Sequence, residues 1–181
     1  MKLTEKYVSG EEIYRGKIIH VERDTVELEN GARALREVVR HPGGASVAVL
    51  TEKNELLFVR QFRYPYGEVI LECPAGKLEP GEDPFEAVKR EQHEETGTTG
   101  KQYISLGFLY PSPGYCDEVI HLYACRAESY GATDPDEDEF LEVERIPLEK
   151  AVDMVMNGQI SDAKTQVLVL KTARLVQEGQ L

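Results

Sequence analysis

The segment Gly76–Thr98 reads GKLEPGEDPFEAVKREQHEETGT, and the interpretation of the whole chain starts from it. Asp83-Pro84-Phe85-Glu86 opens a helix: Asp83 can cap it, Pro84 suits the first turn, and Glu86 completes a capping-box spacing. Gly97 is a natural stop. Between these signals, Glu91, Glu94 and Glu95 fall on one helix face, at offsets of three and four. Carboxylates stacked in this way repel one another by a few tenths of a kcal/mol per pair even in water. In a partly buried site the repulsion is larger. A hard divalent cation removes it, and Mg²⁺ or Mn²⁺ prefers oxygen ligands. The plain alternative is an acidic, solvated helix face.

Outward from this helix the chain alternates strands and helices. Towards the N-terminus, Ile18–Val21 and Thr25–Leu28 are short β-prone segments and Ala34–Arg40 is the return strand. Asn30-Gly31 between them predicts a two-residue hairpin of type I′, with positive φ at both positions. Pro42-Gly43-Gly44 marks a break, so the chain divides into a β-rich unit over 1–42 and a larger unit over 43–181. Ala45–Leu50, Leu56–Arg60 and Val69–Cys73 read as strands before the helix. Tyr103–Tyr110, Val119–Cys125 and Glu139–Ile146 read as strands after it. Leu148–Met156 is a helix stopped by Asn157-Gly158, and Asp162–Gln177 is the last helix, capped by Ser161 or Asp162. The order predicts an α/β layered sandwich with a mixed sheet, plus a small N-terminal antiparallel β domain.

The chain has 181 residues, 33 Asp plus Glu against 21 Lys plus Arg, and a formal charge of −12. That length buries a proper core. The charge argues against a nucleic-acid binder, because phosphate backbones attract Lys and Arg stripes. No apolar run approaches the roughly 20 residues that span a bilayer, and Met1–Gly10 carries no signal-peptide apolar core. Cys73, Cys116 and Cys125 form no C-x-x-C pair and read as reduced thiols of a cytoplasmic protein. The acid is concentrated: Gly76–Thr98 has a net charge of −4 and Asp134–Glu139 one of −5. His20, His41, His93 and His121 show no metal-ligand spacing.

Gly76, Glu82, Arg90, Glu91, Glu94, Glu95 and Gly97 reproduce the seven fixed letters of a 23-residue signature. At roughly one in twenty per letter, a chance match is on the order of one in a billion per register. The segment resembles the Nudix box, G-x5-E-x7-R-E-U-x-E-E-x-G-U with U apolar. Gln92 and Thr98 stand at the two U positions, so Gln92 is expected to weaken packing of the helix against the sheet. The resemblance implies a loop–helix–loop on a Nudix-type α/β/α sandwich. It also implies cleavage of a nucleoside diphosphate linked to another group, at the pyrophosphate, with Mg²⁺ or Mn²⁺ as cofactor.

The chain outside the box resembles the ADP-ribose pyrophosphatases and related nucleoside-diphosphate-sugar hydrolases. Four features carry this: the β-rich opening, Gln61-Phe62-Arg63-Tyr64-Pro65, Pro74-Ala75-Gly76, and Ser112-Pro113-Gly114-Tyr115-Cys116-Asp117-Glu118. In that branch the opening forms a dimerisation domain, so a homodimer is implied. The resemblance assigns Glu91, Glu95 and the Ala75 carbonyl as metal ligands, with Glu82 at the edge of the cluster. Glu94 stands close behind, and Arg90 is a fixed fork that holds the array in shape. Arg63 is the diphosphate contact, and Ser112, Pro113, Gly114 and Glu118 belong to the substrate site. Asp136-Glu137-Asp138-Glu139-Phe140 resembles the branch's catalytic loop, with Glu137 as base and Glu139 as a further ligand; a slip of one or two residues exchanges these roles. Trp is absent, so Tyr or Phe must supply any base stacking, with Tyr14 and Tyr115 as candidates.

These readings imply a metal-dependent hydrolase that takes ADP-ribose to AMP and ribose 5-phosphate. GDP-mannose, ADP-glucose or a nucleoside triphosphate are alternative substrates on the same fold. A non-catalytic nucleotide-sugar sensor is the rival of a different class; a sensor would be expected to have lost the box carboxylates, which this chain keeps.

Overall fold

A computed structural model of the chain describes residues 2–136 and 139–181. Two units emerge: Met1–Gly43 with Tyr110–Val119, and Gly44–Leu109 with Ile120–Leu181. The segment 110–119 therefore groups with the N-terminal strands, although it lies far from them in sequence.

The smaller unit is an antiparallel sheet of β1 (Lys6–Arg15), β2 (His20–Glu27) and β3 (Arg33–Arg40), with β2 in the middle. The β2–β3 pairing runs without a break from His20↔Arg40 to Glu27↔Arg33. The two short segments expected over 18–28 are thus one strand, and β1 is exposed throughout, with polar residues interspersed among Tyr7, Val8, Ile13 and Tyr14. The hairpin turn is real but is not type I′. Gly31 has φ 80°, whereas Asn30 is not among the residues at positive φ. The Asn30 side chain instead accepts from the Ala32 N–H at 3.0 Å, a local bond that replaces the second left-handed residue. The 110–119 segment adds to this sheet through Val39 N–H to Tyr115 O (2.7 Å) and Asp117 N–H to Val39 O (3.1 Å).

The larger unit is built on a seven-stranded mixed sheet of β4 (Gly44–Leu50), β5 (Glu55–Arg63), β6 (Glu68–Glu72), β7 (Ala75–Lys77), β8 (Thr98–Leu109), β9 (Ile120–Tyr130) and β10 (Leu141–Pro147). The order is β10-β5-β4-β9-β8, with β6 on β5 and β7 on β4. The β4–β9 pair is parallel. All seven residues of β4 are buried, as a strand covered on both faces requires. Ala45, Val47 and Val49 pack with Ala87 and Val88 of α1 (Pro84–Thr96). Ala48 and Leu50 pack with Leu56, Phe58 and Leu122 against residues of α2 (Leu148–Met156) and α3 (Ala163–Gln177). Each fully buried Leu or Phe contributes about 1.5–3 kcal/mol. This is the expected sandwich of helix, sheet and helix. No helix among the described residues is long and apolar enough to cross a membrane.

Candidate active site

Helix α1 begins and ends where its sequence dictates. Asp83 accepts from the Phe85 N–H at 2.9 Å, a cap contributing about 1 kcal/mol. Glu86 does not visibly close a capping box; its carboxylate is held by Lys89 at 2.7 Å. Gly97 ends the helix at φ 63°. A Cβ there would lie 2.4 Å from the Gly131 carbonyl, so the position needs glycine on both counts.

The second half of the helix presents Glu91 and Glu95, one turn apart and only 8% and 2% exposed. Glu95 accepts from the Ala75 N–H at 2.9 Å, which ties α1 to β7. Glu91 lies so close to Gly76 that a Cβ on that residue would be 1.9 Å from its Oε1; the first box glycine makes room for the carboxylate. Burial pushes Glu91 up to about 7, against the pull of Arg90, with Glu94 and Glu139 adding repulsion. Burial pushes Glu95 up to about 8, against the Ala75 N–H, with Glu91, Glu139 and Glu72 adding repulsion.

Arg90 joins the carboxylates. Its Nε and Nη2 donate to Glu82 at 3.0 and 3.1 Å. Its Nη1 donates to Glu91 at 2.7 Å and to Glu94 at 3.0 Å, and Nη2 reaches the Lys77 carbonyl at 3.3 Å. Only a planar five-donor group can serve so many acceptors from a fixed position. The hydrogen bonds to Arg90 hold Glu82 below the usual carboxylate range, and the same bonds hold Arg90 well above its ordinary value.

The acidic loop is rooted on the same helix end. The Gly131 N–H donates to Gly97 O at 2.7 Å and the Asp134 N–H to Glu94 O at 2.8 Å. Glu139, whose N–H donates to Asp136 O at 2.9 Å, lies near enough for its charge to raise both Glu91 and Glu95. Glu137, the expected base, lies outside the described residues.

Arg63 is engaged by Glu72, at 2.6 Å from Nε and 2.8 Å from Nη2. Glu72 is 2% exposed and is also bonded by Lys164, which stands 3.0 Å from Asp162. Burial opposes the charge on Lys164, but Asp162 and Glu72 outweigh it and hold the ammonium above its usual value. Sequence reading did not single out Glu72 or Lys164. The signal was present: Lys164 shares a buried helix stripe with Leu168, and a cation on such a stripe requires a buried acid.

Gln92 packs differently from expectation. Its side chain is fully buried, but it does not leave the helix loosely packed. Oε1 accepts from Tyr103 OH at 2.7 Å and from Cys125 Sγ at 3.4 Å. Nε2 donates to Thr98 Oγ1 at 3.0 Å, and Thr96 and Thr98 are 2.7 Å apart through their hydroxyls. The two positions where the box departs from apolar residues are bonded to each other.

Ser112, Pro113, Gly114 and Glu118 belong to the smaller unit. There the Ser112 carbonyl accepts from the Tyr115 and Cys116 N–H groups at 3.2 and 3.0 Å, and Glu118 stands 3.4 Å from His41 Nδ1. Asp117 anchors the segment by accepting from the His41 N–H at 2.8 Å and pairing with Arg40 at 3.2 Å. Tyr14 and Tyr115 are exposed in the same unit.

Among the described residues no three His, Cys, Asp or Glu side chains enclose an ion as they stand. Glu91 is turned to Arg90 and Glu95 to the Ala75 N–H. The donor chemistry nevertheless fits a hard divalent ion: carboxylate oxygens, raised in pKa by burial first and by neighbouring carboxylates second.

Residues 40–169 match the NUDIX domain, and residues 5–39 match the nucleoside diphosphate sugar hydrolase N-terminal domain. The chain is 41% identical to an ADP-ribose pyrophosphatase of Bacillus subtilis, over 97% of this chain and 98% of that one. It is 40% identical to a methanol dehydrogenase activator of Bacillus methanolicus, over 91% and 90%. It is 32% identical to a GDP-mannose pyrophosphatase of Yersinia enterocolitica, over 81% and 82%. With Glu91 and Glu95 buried one turn apart on α1 and these matches spanning nearly its whole length, the chain belongs to the Nudix family of pyrophosphohydrolases.

Proposed function

We propose that the protein hydrolyses the pyrophosphate bond of a nucleoside diphosphate sugar, with ADP-ribose preferred, giving AMP and ribose 5-phosphate. The observation that carries this is the pair Glu91 and Glu95, buried one turn apart and raised to about 7 and about 8. The B. subtilis relative's name favours ADP-ribose. The Yersinia relative's name makes GDP-mannose the second substrate to try.

Nudix hydrolases generally use a divalent metal, here Mg²⁺ or Mn²⁺. Glu91, Glu95, Glu139 and the Ala75 carbonyl would hold it, with Glu82 and Glu94 alongside. When bound, it supplies charge neutralisation of the diphosphate and a water of lowered pKa. Arg63, its guanidinium fixed by Glu72, binds the diphosphate oxygens. Arg90 bridges the Glu82, Glu91 and Glu94 carboxylates and keeps them oriented. Glu137, with Glu139 as the alternative, accepts the proton of the attacking water. Water adds to one phosphorus, the bond from that phosphorus to the bridging oxygen breaks, and each product leaves as a phosphomonoester. Ser112, Pro113, Gly114 and Glu118 of the smaller unit are the further substrate-binding residues of this reading.

The N-terminal unit serves as a dimerisation domain, and the enzyme acts in the cytoplasm as a homodimer. Every residue of β1 is exposed, including Tyr7, Val8, Ile13 and Tyr14, and such apolar surface supports a partner there. A solution mass of 20.4 kDa, that of one chain, would contradict the dimer. The activity itself is tested by AMP release from ADP-ribose with and without Mg²⁺.

A further inference from the structure

Gln92 is a buried polar residue of the box whose side chain the proposed reaction does not use. It is fully buried and every polar atom of its amide has a partner. Proton positions follow by elimination. The Thr96 hydroxyl donates to the Gln92 carbonyl, so the hydroxyl between Thr96 and Thr98 is donated by Thr98. Thr98 Oγ1 in turn accepts from Gln92 Nε2. The result is a closed ring from the Gln92 amide through Thr98 and Thr96 back to the Gln92 backbone. It encloses the last turn of α1, the turn that carries Glu94 and Glu95. Tyr103 on β8 and Cys125 on β9 hold the amide from the sheet side.

An apolar residue at this position would fill the same space but would set no direction. Hydrogen bonds are directional, and a fully satisfied buried network fixes one arrangement. The acidic loop hangs from the same turn, through Asp134 N–H to Glu94 O and Gly131 N–H to Gly97 O. Glu95 on the helix and Glu139 on the loop thus share one anchoring point. We propose that Gln92 is a positioning residue, whose amide ring with Thr98 and Thr96 fixes the last helical turn and with it the spacing of Glu95 from the acidic loop.

This inference rests on the reading that Glu91 and Glu95 hold the metal, and its test does not depend on the substrate. Gln92→Met keeps length and apolar volume and removes every side-chain hydrogen bond. The Mn²⁺ dissociation constant of the substrate-free protein, measured by titration calorimetry, is expected to rise about tenfold, the range seen when groups supporting metal ligands are removed. kcat should fall with it while KM for ADP-ribose holds, and exchange of the Asp134 amide should quicken. Unchanged Mn²⁺ affinity and unchanged Asp134 exchange would overturn the proposal. If Gln92→Met does not fold, Tyr103→Phe removes only one bond of the network; it must weaken Mn²⁺ binding in the same direction, and wild-type affinity there overturns the proposal equally. If the wild-type protein cleaves no nucleoside diphosphate sugar but Mn²⁺ binding still depends on Gln92, the substrate reading fails and this one stands.

Discussion

Arg63 holds the buried carboxylate of Glu72 side-on, Nε 2.6 Å from one oxygen and Nη2 2.8 Å from the other. The pair fixes the plane of the guanidinium, and Lys164 shares the same carboxylate from within the core. Removing one member of a buried ion pair costs about 3–5 kcal/mol. Glu72→Gln keeps the shape and should therefore cost about 3 kcal/mol, a fall in Tm of roughly 6–12 °C for a chain of this size. KM for the nucleotide sugar should rise more than kcat falls, because Arg63 loses its orientation. Thermal unfolding and steady-state kinetics check both; an unchanged Tm would contradict the role given to Glu72.

Arg90 makes five hydrogen bonds, four of them to three carboxylates. Lysine has three donors and no planar fork. Arg90→Lys should lower kcat by about tenfold or more while leaving Tm nearly unchanged, since the group is partly solvated. Activity within a factor of about two would show that charge alone suffices there.

Gly76 offers a separation of fold from function. The nearest atoms a Cβ there would meet belong to the Glu91 carboxyl group, the far end of a flexible side chain, which must move off its hydrogen bond with Arg90. Gly76→Ala should therefore fold with near-normal stability but bind Mn²⁺ about tenfold more weakly. Calorimetric titration with Mn²⁺ reads the affinity, and wild-type affinity would contradict the account of the glycine.

The raised carboxyls set a pH dependence. Glu91 and Glu95 titrate ordinarily near 4.5 but stand near 7 and 8 in the fold. Between those limits the folded chain binds more protons than the unfolded chain. Metal-free stability therefore falls as pH rises from about 4.5 to about 8. An ion requires the charged forms, so its affinity should rise over the same window, with release of about one proton at pH 7 from the coupled pair. Calorimetry in two buffers of different ionisation heat measures that number; zero release would contradict it.

Much of this molecule was legible in its sequence. The helix Pro84–Thr96 was set by Asp83, Pro84 and Gly97, all acting locally, and each appears in its expected role. The face shared by Glu91, Glu94 and Glu95 follows from helical period alone. What escaped depends on partners distant in sequence. Lys164 meets Glu72 across 92 positions, and no local pattern joins them. Gln92 looked like a packing defect because its partners, Tyr103 and Cys125, lie on strands that only the fold brings together. At Asn30, side-chain chemistry supplied the turn by a bond to Ala32 rather than by a left-handed backbone.

The central claim is that the carboxylates of α1 carry metal-dependent cleavage of a nucleoside diphosphate sugar. The most direct measurement separates the products of ADP-ribose, GDP-mannose and ADP-glucose by chromatography after incubation with and without Mg²⁺, for the wild-type protein and Glu95→Gln. The account predicts AMP from ADP-ribose only when metal is present, and its loss in Glu95→Gln. AMP formed without metal, or undiminished in Glu95→Gln, would contradict it.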